Sequence, residues 1–269
     1  MNHYEKFESY IPFDLLTGTH FLQAFIVILL MINFRYFLAV GLFWFIYYKK
    51  SLRKSAIYKE LPGRTEQLFE IKWSINSSIV FSLVAVAWGV LWQLGWTRIY
   101  LPFEQFGWFY WPASYLLLAL LHETYFYWTH RALHQPALYK LVHSVHHASL
   151  KPSPWASFSF HPVESLINAA ALPLISLVLP LHPVLILIHL SVMTLTAITN
   201  HLGFEILPHN MFGLKLGRHI VSGVHHGQHH RFFSTNFGLF FTWWDKICKT
   251  ENKNFEKHFM TVTRGQSVW

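Results

Sequence analysis

The chain passes from an apolar span into a histidine motif within one stretch, Leu116-Leu-Leu-Ala-Leu-Leu-His-Glu-Thr-Tyr-Phe-Tyr-Trp-Thr-His130-Arg-Ala-Leu-His134. Its first part is apolar enough to lie in lipid, and it ends with two histidines four residues apart. Residues at i and i+4 lie on one face of an α-helix, a single turn apart. The stretch therefore predicts a helix that leaves a membrane and presents imidazoles just beyond it.

Two further motifs repeat the one-turn spacing, and they are His143-Ser-Val-His146-His147 and His226-Gly-Gln-His229-His230. A helical turn is expected to bring the histidines of each motif to one side. Imidazole binds Fe, Zn and Cu at neutral pH without bringing charge. Packed imidazoles must be neutral, hydrogen-bonded or metal-bound, because charged rings repel one another.

These eight histidines predict a metal centre, with His130 and His134 from the first motif and six from the other two. Their number exceeds one site that keeps an open position, which favours two ions. His225 could replace His226, since it also stands one turn before His229. The spacing leaves both alternatives open.

Composition places the chain in a membrane. Hydrophobic residues make up 53% and charged residues 13%, whereas a soluble domain carries about 25% charged residues. The net charge of +8 could indicate nucleic acid, but the basic residues flank apolar spans. Positive-inside topology and anionic lipid explain them better, so no nucleic-acid partner is expected. The single cysteine, Cys248, excludes a disulfide or CxxC motif within the chain.

Apolar runs predict an all-α integral membrane bundle, a single domain over residues 1–269. Three spans are expected within 20–128, at about 21–48, 75–96 and 106–127. Basic residues between Lys49 and Lys72 mark the cytoplasmic side. Within the first span, Arg35 is expected to face protein or to snorkel, and Asn33 interrupts the same run.

A fourth apolar run, 166–198, contains Pro173, Pro180 and Pro183. One continuous helix tolerates such breaks poorly, so 163–199 is predicted to form a membrane hairpin. Both ends of a hairpin lie on the same side. The first histidine motifs, in 129–162, and the third, in 200–269, should then meet in a cytoplasmic helical cap. The whole bundle is expected to have about four membrane-crossing or hairpin elements.

The order HxxxH, HxxHH and a later HxxHH resembles the fatty acid hydroxylase/sterol desaturase superfamily of membrane di-iron enzymes. Flanking words agree over residues 110–250, and they are Tyr125-Phe-Tyr-Trp-Thr-His-Arg131, His161-Pro-Val-Glu164, Asn200-His-Leu-Gly203, Asn236-Phe-Gly238 and Trp243-Trp-Asp245.

The resemblance implies a four-span fold with a cytoplasmic site for two Fe ions, which Zn could replace in a purified sample. It implies O2-dependent hydroxylation or desaturation of a membrane lipid of sterol or fatty-acyl type. Both reactions begin with the same hydrogen abstraction, so the sequence does not separate them. Electrons would come from an external cytochrome or from a ferredoxin and its reductase.

The resemblance also implies that His201 is a ligand. Some members carry a second histidine four residues earlier, where this chain has Ala197. It further implies that Glu123 or Glu164 orients ligands, as carboxylates do for metal-bound imidazoles. The alternative for Glu164 is a carboxylate at a helix N-terminus.

Asp245 is a further candidate for a supporting carboxylate near the metal. The alternative is a structural ion pair with Arg131 or Arg231. Aromatic residues at the end of the third span, Tyr125 among them, are expected to line the lipid access, together with Tyr127 and Trp128. Interfacial anchoring is the alternative for these rings and is favoured for Trp128.

Two other functions could use such histidines. A membrane metal transporter or zinc-binding protein predicts ionisable residues along a path through the spans. Such residues are sparse here, with Arg35 and His189 as the examples. A non-catalytic lipid-binding relative predicts loss of ligands, which the nearly full histidine set argues against.

Overall fold

The computed structural model describes residues 13–49, 55–212 and 217–269, and over these ranges the regular secondary structure is helical, apart from isolated β-bridges. The predicted all-α class is thereby confirmed. Arg53 and Lys54 of the predicted basic loop lie outside the described residues.

Five long helices form the bundle, namely α1 (Gly18–Trp44, continued by a π-helical turn Phe45–Lys49), α2 (Arg64–Gln93), α3 (Tyr110–Leu133), α4 (Pro162–Ser176) and α5 (Pro183–Asn200). Three shorter helices follow, α6 (Gly223–Phe232), α7 (Trp243–Ile247) and α8 (Phe255–Thr263).

Three segments are long and apolar enough to cross a membrane, and they are Gly18–Lys49, Arg64–Gln93 and Pro183–Asn200. The second begins earlier than the predicted span, because its first turns are polar. The third predicted span, 106–127, corresponds to α3 and is not among these three. Its tyrosines, tryptophans, His122 and Glu123 lower its mean hydropathy. α3 is therefore as much a support for the histidines as a membrane helix.

The helices pack through a stripe of small polar residues on α2. Buried serines recur about one turn apart on this helix, at Ser74, Ser77, Ser78 and Ser82, and α2 packs there against α1 and α4. Small residues let helix backbones approach closely in a membrane. Asn33 of α1 donates a hydrogen bond from Nδ2 to Ser78 Oγ at 2.9 Å. The polar residue within the first span thus faces the bundle.

The hairpin formed by α4 and α5 turns at residues 177–182. At that end it meets the loop after α2, where the Arg98 N–H donates to Ser176 O at 2.7 Å and the Tyr110 hydroxyl donates to Pro180 O at 2.8 Å. The last turns of α3 and α5 and the first turn of α4 lie at the opposite end. All three histidine motifs lie at this opposite end. Its cytoplasmic orientation stays a prediction.

A cap covers this end. Its core consists of Ile57, Tyr58, Val224, Phe255, Phe259 and Val262, all buried. These side chains join the segment before α2 to α6 and α8. The packing holds α6, which carries the third histidine motif, over the ends of the membrane helices.

Candidate metal centre

Nine histidines form two clusters at the capped end of the bundle. The five-histidine cluster contains His130, His134, His143, His147 and His229, and the four-histidine cluster contains His146, His201, His226 and His230. Within each cluster, one ring nitrogen from every member lies within 4.8 Å of the others. All nine rings are buried except the partly exposed His134. The structure therefore brings together every histidine that the sequence or the resemblance singled out as a ligand.

The two HxxHH motifs divide between the clusters, so the expectation that each motif presents one face was wrong. His146 and His147 are neighbours in the chain but belong to different clusters, as do His229 and His230. Adjacent residues on a helix point about 100° apart, since a turn takes 3.6 residues. Only pairs separated by a full turn, such as His226 and His230, share a cluster.

Local helix geometry sets this division in the second motif. The chain forms a π-helical turn over Tyr139–His143 and a 3-10 turn over His146–Ala148. His143 and His147 remain one turn apart and meet in the five-histidine cluster. His146 points instead toward His201, with the two Nε2 atoms 3.3 Å apart.

Hydrogen bonds at Nδ1 orient five of the rings. The acceptors are Phe237 O for His130 at 2.9 Å, Glu164 Oε1 for His143 at 2.8 Å, Ser159 O for His146 at 3.2 Å, Ala197 O for His201 at 2.7 Å and Thr235 O for His229 at 2.8 Å. A carbonyl oxygen can only accept, so the Nδ1 of its partner carries the proton. In a neutral ring this leaves a lone pair on Nε2, which faces the cluster.

The spacing of the Nε2 atoms fits metal ions. Neighbouring pairs lie 3.0 to 3.3 Å apart, for example His134 with His143 and His201 with His226. Two imidazole nitrogens bound at about 2.1 Å to one ion are separated by about 3.0 to 3.4 Å for angles between 90° and tetrahedral. Facing lone pairs repel unless a cation lies between them. The donor set and its spacing thus match two metal ions.

Burial keeps these rings neutral. Burial, followed by the neighbouring His229 and His230, lowers the pKa of His147 well below its ordinary value. Burial likewise lowers the pKa of His201 to about 4. Neutral imidazole is the form that binds a metal. At physiological pH the clusters are therefore competent to bind cations rather than repel them.

The geometry favours His226 over His225 as the cluster member. His226 Nε2 lies 3.0 Å from His201 Nε2 and 3.1 Å from His230 Nε2. His225 points away, with its Nε2 3.9 Å from Asp245 Oδ2 and its ring against Phe255. Of the two alternatives that the sequence left open, the geometry thus favours His226, because adjacent residues on α6 point about 100° apart and only His226 is directed into the cluster.

Glu164 contacts the metal centre directly. Its Oε1 accepts the hydrogen bond from His143 Nδ1, and its Oε2 has no hydrogen-bond partner. The residue also lies in the first turn of α4, but its carboxylate accepts a hydrogen bond from the His143 imidazole and none from the N–H groups of the helix. The geometry therefore agrees with a role in orienting His143.

Glu123 acts at a distance from the histidines. Its carboxylate accepts hydrogen bonds from three consecutive N–H groups, those of Leu239, Phe240 and Phe241, at 2.7 to 3.3 Å. The loop that it holds begins at Phe237, whose carbonyl orients His130. Glu123 thus positions a ligand through the backbone.

Asp245 holds the start of the same loop. Its two carboxylate oxygens accept from the N–H groups of Phe237 and Gly238 at 2.9 and 3.0 Å, and Oδ1 also accepts from the Thr250 hydroxyl. Within the described ranges it forms no salt bridge with Arg131 or Arg231, and the positive charge of Arg131 acts on it only from a longer distance. Backbone N–H groups satisfy the buried carboxylate instead.

Glu205, which no sequence pattern singled out, supports the third motif. Its Oε2 accepts from Val224 N–H at 3.0 Å and its Oε1 from Leu207 N–H at 2.9 Å. It thereby fixes the first turn of α6, next to the N-cap Ser222. Acidic residues stabilise helix N-termini, but Glu205 lies far from α6 in the chain, so spacing gave no signal. Ala197, the position without the second histidine, contributes its carbonyl oxygen to His201.

The aromatic side chains at the end of α3 make packing and hydrogen-bond contacts, and their expected place along a lipid access stays a prediction. The Tyr125 hydroxyl donates to Ile167 O at 2.8 Å, and Tyr127 is buried with its hydroxyl 2.9 Å from Thr250 Oγ1. Trp128 is 47% exposed and packs edge-on against Trp244. Its exposure agrees with the anchoring alternative. Phe126, between them, faces the metal centre.

A cavity of about 50 Å³ touches both clusters. Its polar wall includes His130 and His143 from one cluster and His146, His201 and His226 from the other. Phe126, Leu133, Phe160, Ala197 and Leu239 supply apolar walls. A small group entering this cavity would therefore reach both metal-binding clusters.

A bundle of membrane helices thus holds, at one end, two clusters of buried imidazoles that could each bind a metal ion. A family model described as fatty acid hydroxylase matches residues 115–250, which include all nine histidines. The chain belongs to this family, whose wider superfamily includes the sterol desaturases.

Relatives agree with this assignment. The chain is 30% identical over 215 residues to lathosterol oxidase of Mus musculus, covering 79% of this chain and 69% of the relative. It is 30% identical over 180 residues to a Delta(7)-sterol 5(6)-desaturase of Gibberella zeae, covering 65% of this chain and 54% of the relative. Lathosterol oxidase of Homo sapiens is 28% identical over 214 residues. No solved structure matches the chain significantly.

Proposed function

We propose that the chain is an O2-dependent di-iron oxidoreductase that hydroxylates or desaturates an unactivated C–H of a membrane lipid. The observation that carries this proposal is the pair of imidazole clusters around one small cavity. The named activities of the relatives favour a sterol over a fatty-acyl substrate. Electrons would come from a separate cytochrome or ferredoxin and reductase.

The nine histidines are proposed to hold the two ions, which supply O2 activation and hydrogen abstraction when bound. The protein supplies the fixed position of each ring. Backbone carbonyls and Glu164 hold the Nδ1 protons outward, so every oriented Nε2 stays available without rearrangement. Glu123 and Asp245 keep residues 237–241 in place, and Phe237 of this loop and the nearby Thr235 supply two of the backbone acceptors.

The cavity is proposed to receive the part of the lipid that is oxidised. Its apolar walls are proposed to exclude water from that carbon and to hold the lipid in a fixed position relative to the clusters. Because the clusters lie at the ends of α3, α4 and α5, a lipid can reach them from the bilayer without crossing bulk water. Basic residues near Lys49 and Lys72 favour the cytoplasmic side for this end.

The test combines metal analysis with lipid profiling. Membranes from cells that express the chain with a reductase system would be compared by mass spectrometry with those expressing His143→Ala, His229→Ala or the control His219→Ala. His219 is exposed and outside both clusters. The proposal expects one lipid to be converted by the parent chain and the control only, with iron lost from the two cluster variants.

Unchanged turnover in His143→Ala or His229→Ala would refute the site. Metal flux across vesicles that depends on the clusters, without O2 consumption by the reduced protein, would support a transporter instead. Anaerobic reduction followed by an O2 challenge separates these outcomes, because only an oxygenase consumes O2 with lipid present.

A further inference from the structure

Three polar side chains around the small cavity have no partner that satisfies them. Ser157 Oγ and Glu164 Oε2 are buried without a hydrogen-bond partner, and Asn168 forms no side-chain hydrogen bond with the described residues. All three line the cavity that touches both clusters. Buried polar groups are nearly always paired, so such a concentration indicates a missing hydrogen-bonding group.

The three groups lie on two elements that converge on the cavity. Glu164 and Asn168 are one turn apart on α4 and therefore share a face. Ser157 lies on the 3-10 turn Pro154–Phe158, which Ser153 holds to α2 by donating its hydroxyl hydrogen to Glu70. Both elements thus present polar groups to the same cavity.

The hydrogen-bonding capacity of the three groups matches a hydroxyl. All three groups can accept a hydrogen bond, and the Ser157 hydroxyl and the Asn168 amide can also donate one. A hydroxyl donates one hydrogen and accepts through its oxygen lone pairs, so it satisfies both kinds of group at once. A hydrocarbon in the same place would leave all three unpaired.

We propose that Ser157, Asn168 and Glu164 Oε2 bind a free hydroxyl of the lipid substrate, close to the carbon that is oxidised. The inference rests on the proposed function and deepens it, because it selects hydroxylated lipids over unmodified hydrocarbon chains. The cavity is small, about 50 Å³, and both clusters and the three polar groups share it. The hydroxyl and the oxidised carbon must therefore be near neighbours in the substrate.

A 3-hydroxysterol has this arrangement. One carbon separates its hydroxyl-bearing carbon from the 5(6) position named for the fungal relative. A fatty-acyl chain with an unmodified interior does not have it. The proposal thus predicts that blocking the hydroxyl matters more than changing the distant side chain of the sterol.

The experiment uses lathosterol and its 3-O-methyl ether with the full chain in lipid nanodiscs. Equilibrium binding of both sterols and their oxidation with a reductase system are measured for the parent chain, Ser157→Ala, Asn168→Leu and the double variant. Ser159→Ala is the matched control, because its Oγ is also buried and unpartnered but does not line the cavity. The parent should prefer the free sterol by about tenfold, which is the order of a lost buried hydrogen bond.

The double variant should lose that preference, and Ser159→Ala should keep it. A preference that survives in the double variant, or a parent that binds both sterols equally, would overturn the proposal while leaving oxidation of lipid intact. Equal losses on both sterols in the variants would also overturn it and would assign the groups to a bound water. If no lipid is oxidised but the binding preference disappears in the double variant, the hydroxyl site stands and the proposed oxidation fails.

Discussion

Replacing His226 by alanine tests the two-ion centre most directly. The four-histidine cluster supplies four ring nitrogens, and His226 Nε2 lies within 3.1 Å of two of them. Its loss leaves three ligands in this cluster and all five in the other. Loss of a group that merely orients a ligand already weakens metal binding by about 10- to 100-fold. The iron content should therefore fall from two ions per chain to about one.

The neighbouring substitution His225→Ala is the control. That ring is equally buried but contacts Asp245 and Phe255 rather than the cluster. Its removal leaves a cavity and should cost about 2 to 4 kcal/mol of stability, with both ions retained. Metal content is measured by elemental analysis of purified protein and stability by thermal unfolding. Loss of an ion in His225→Ala, with two retained in His226→Ala, would refute this assignment of the ligands.

Three further substitutions test the supports of the centre. Glu164→Gln keeps an acceptor for the histidine but removes its charge, so iron affinity measured by competition with a chelator should fall about 10- to 100-fold, and an unchanged affinity would deny the orienting role. Gly238→Ala places a methyl group against the carbonyl oxygen of Phe241, and thermal unfolding should show a loss of about 1 to 3 kcal/mol, whereas wild-type stability would mean that the loop adjusts freely. Asn33→Leu and Ser78→Ala, combined in a double-mutant cycle of unfolding, should give a coupling energy of about 0.6 kcal/mol for the hydrogen bond between α1 and α2, and a coupling near zero would show that this bond adds nothing.

The ligand residues could be identified from the sequence because imidazoles one helical turn apart are an uncommon pattern. The division of each HxxHH motif between the two clusters could not be predicted from the sequence. A spacing such as that of His143, His146 and His147 states which pairs can share a face, but not which partner each face meets. The π-helical turn that sets the direction of His143 packs against α4, which is distant in the sequence. Local sequence does not encode such contacts.

The supporting carboxylates show a similar limit. Glu164 stands next to a motif residue in space but about 20 residues away in sequence, and only the resemblance indicated its role. Glu123 and Asp245 were expected near the metal, yet both bind backbone N–H groups of one loop. Glu205 gave no signal at all. Contacts between side chains and main-chain groups that are distant in the sequence produce no periodic sequence pattern.

Membrane spans were easier to locate than to classify. The hairpin could be predicted because proline does not continue a helix, and Pro183 is the first residue of α5. α3 was harder, because its apolar first half resembles a span while its second half carries His122, Glu123 and the first histidine motif. Function places polar groups in this helix, and these groups weaken the hydropathy signal by which a span is recognised.

Two pairs of consecutive histidines link the two clusters through the backbone. His146 and His147, like His229 and His230, are consecutive residues whose rings point into different clusters, with ring centroids 5.6 and 5.8 Å apart. The relative positions of the two sets of ligands are thus constrained twice, by two separate peptide linkages. Inserting or deleting one residue at either linkage would alter the inter-ion distance and both coordination shells together.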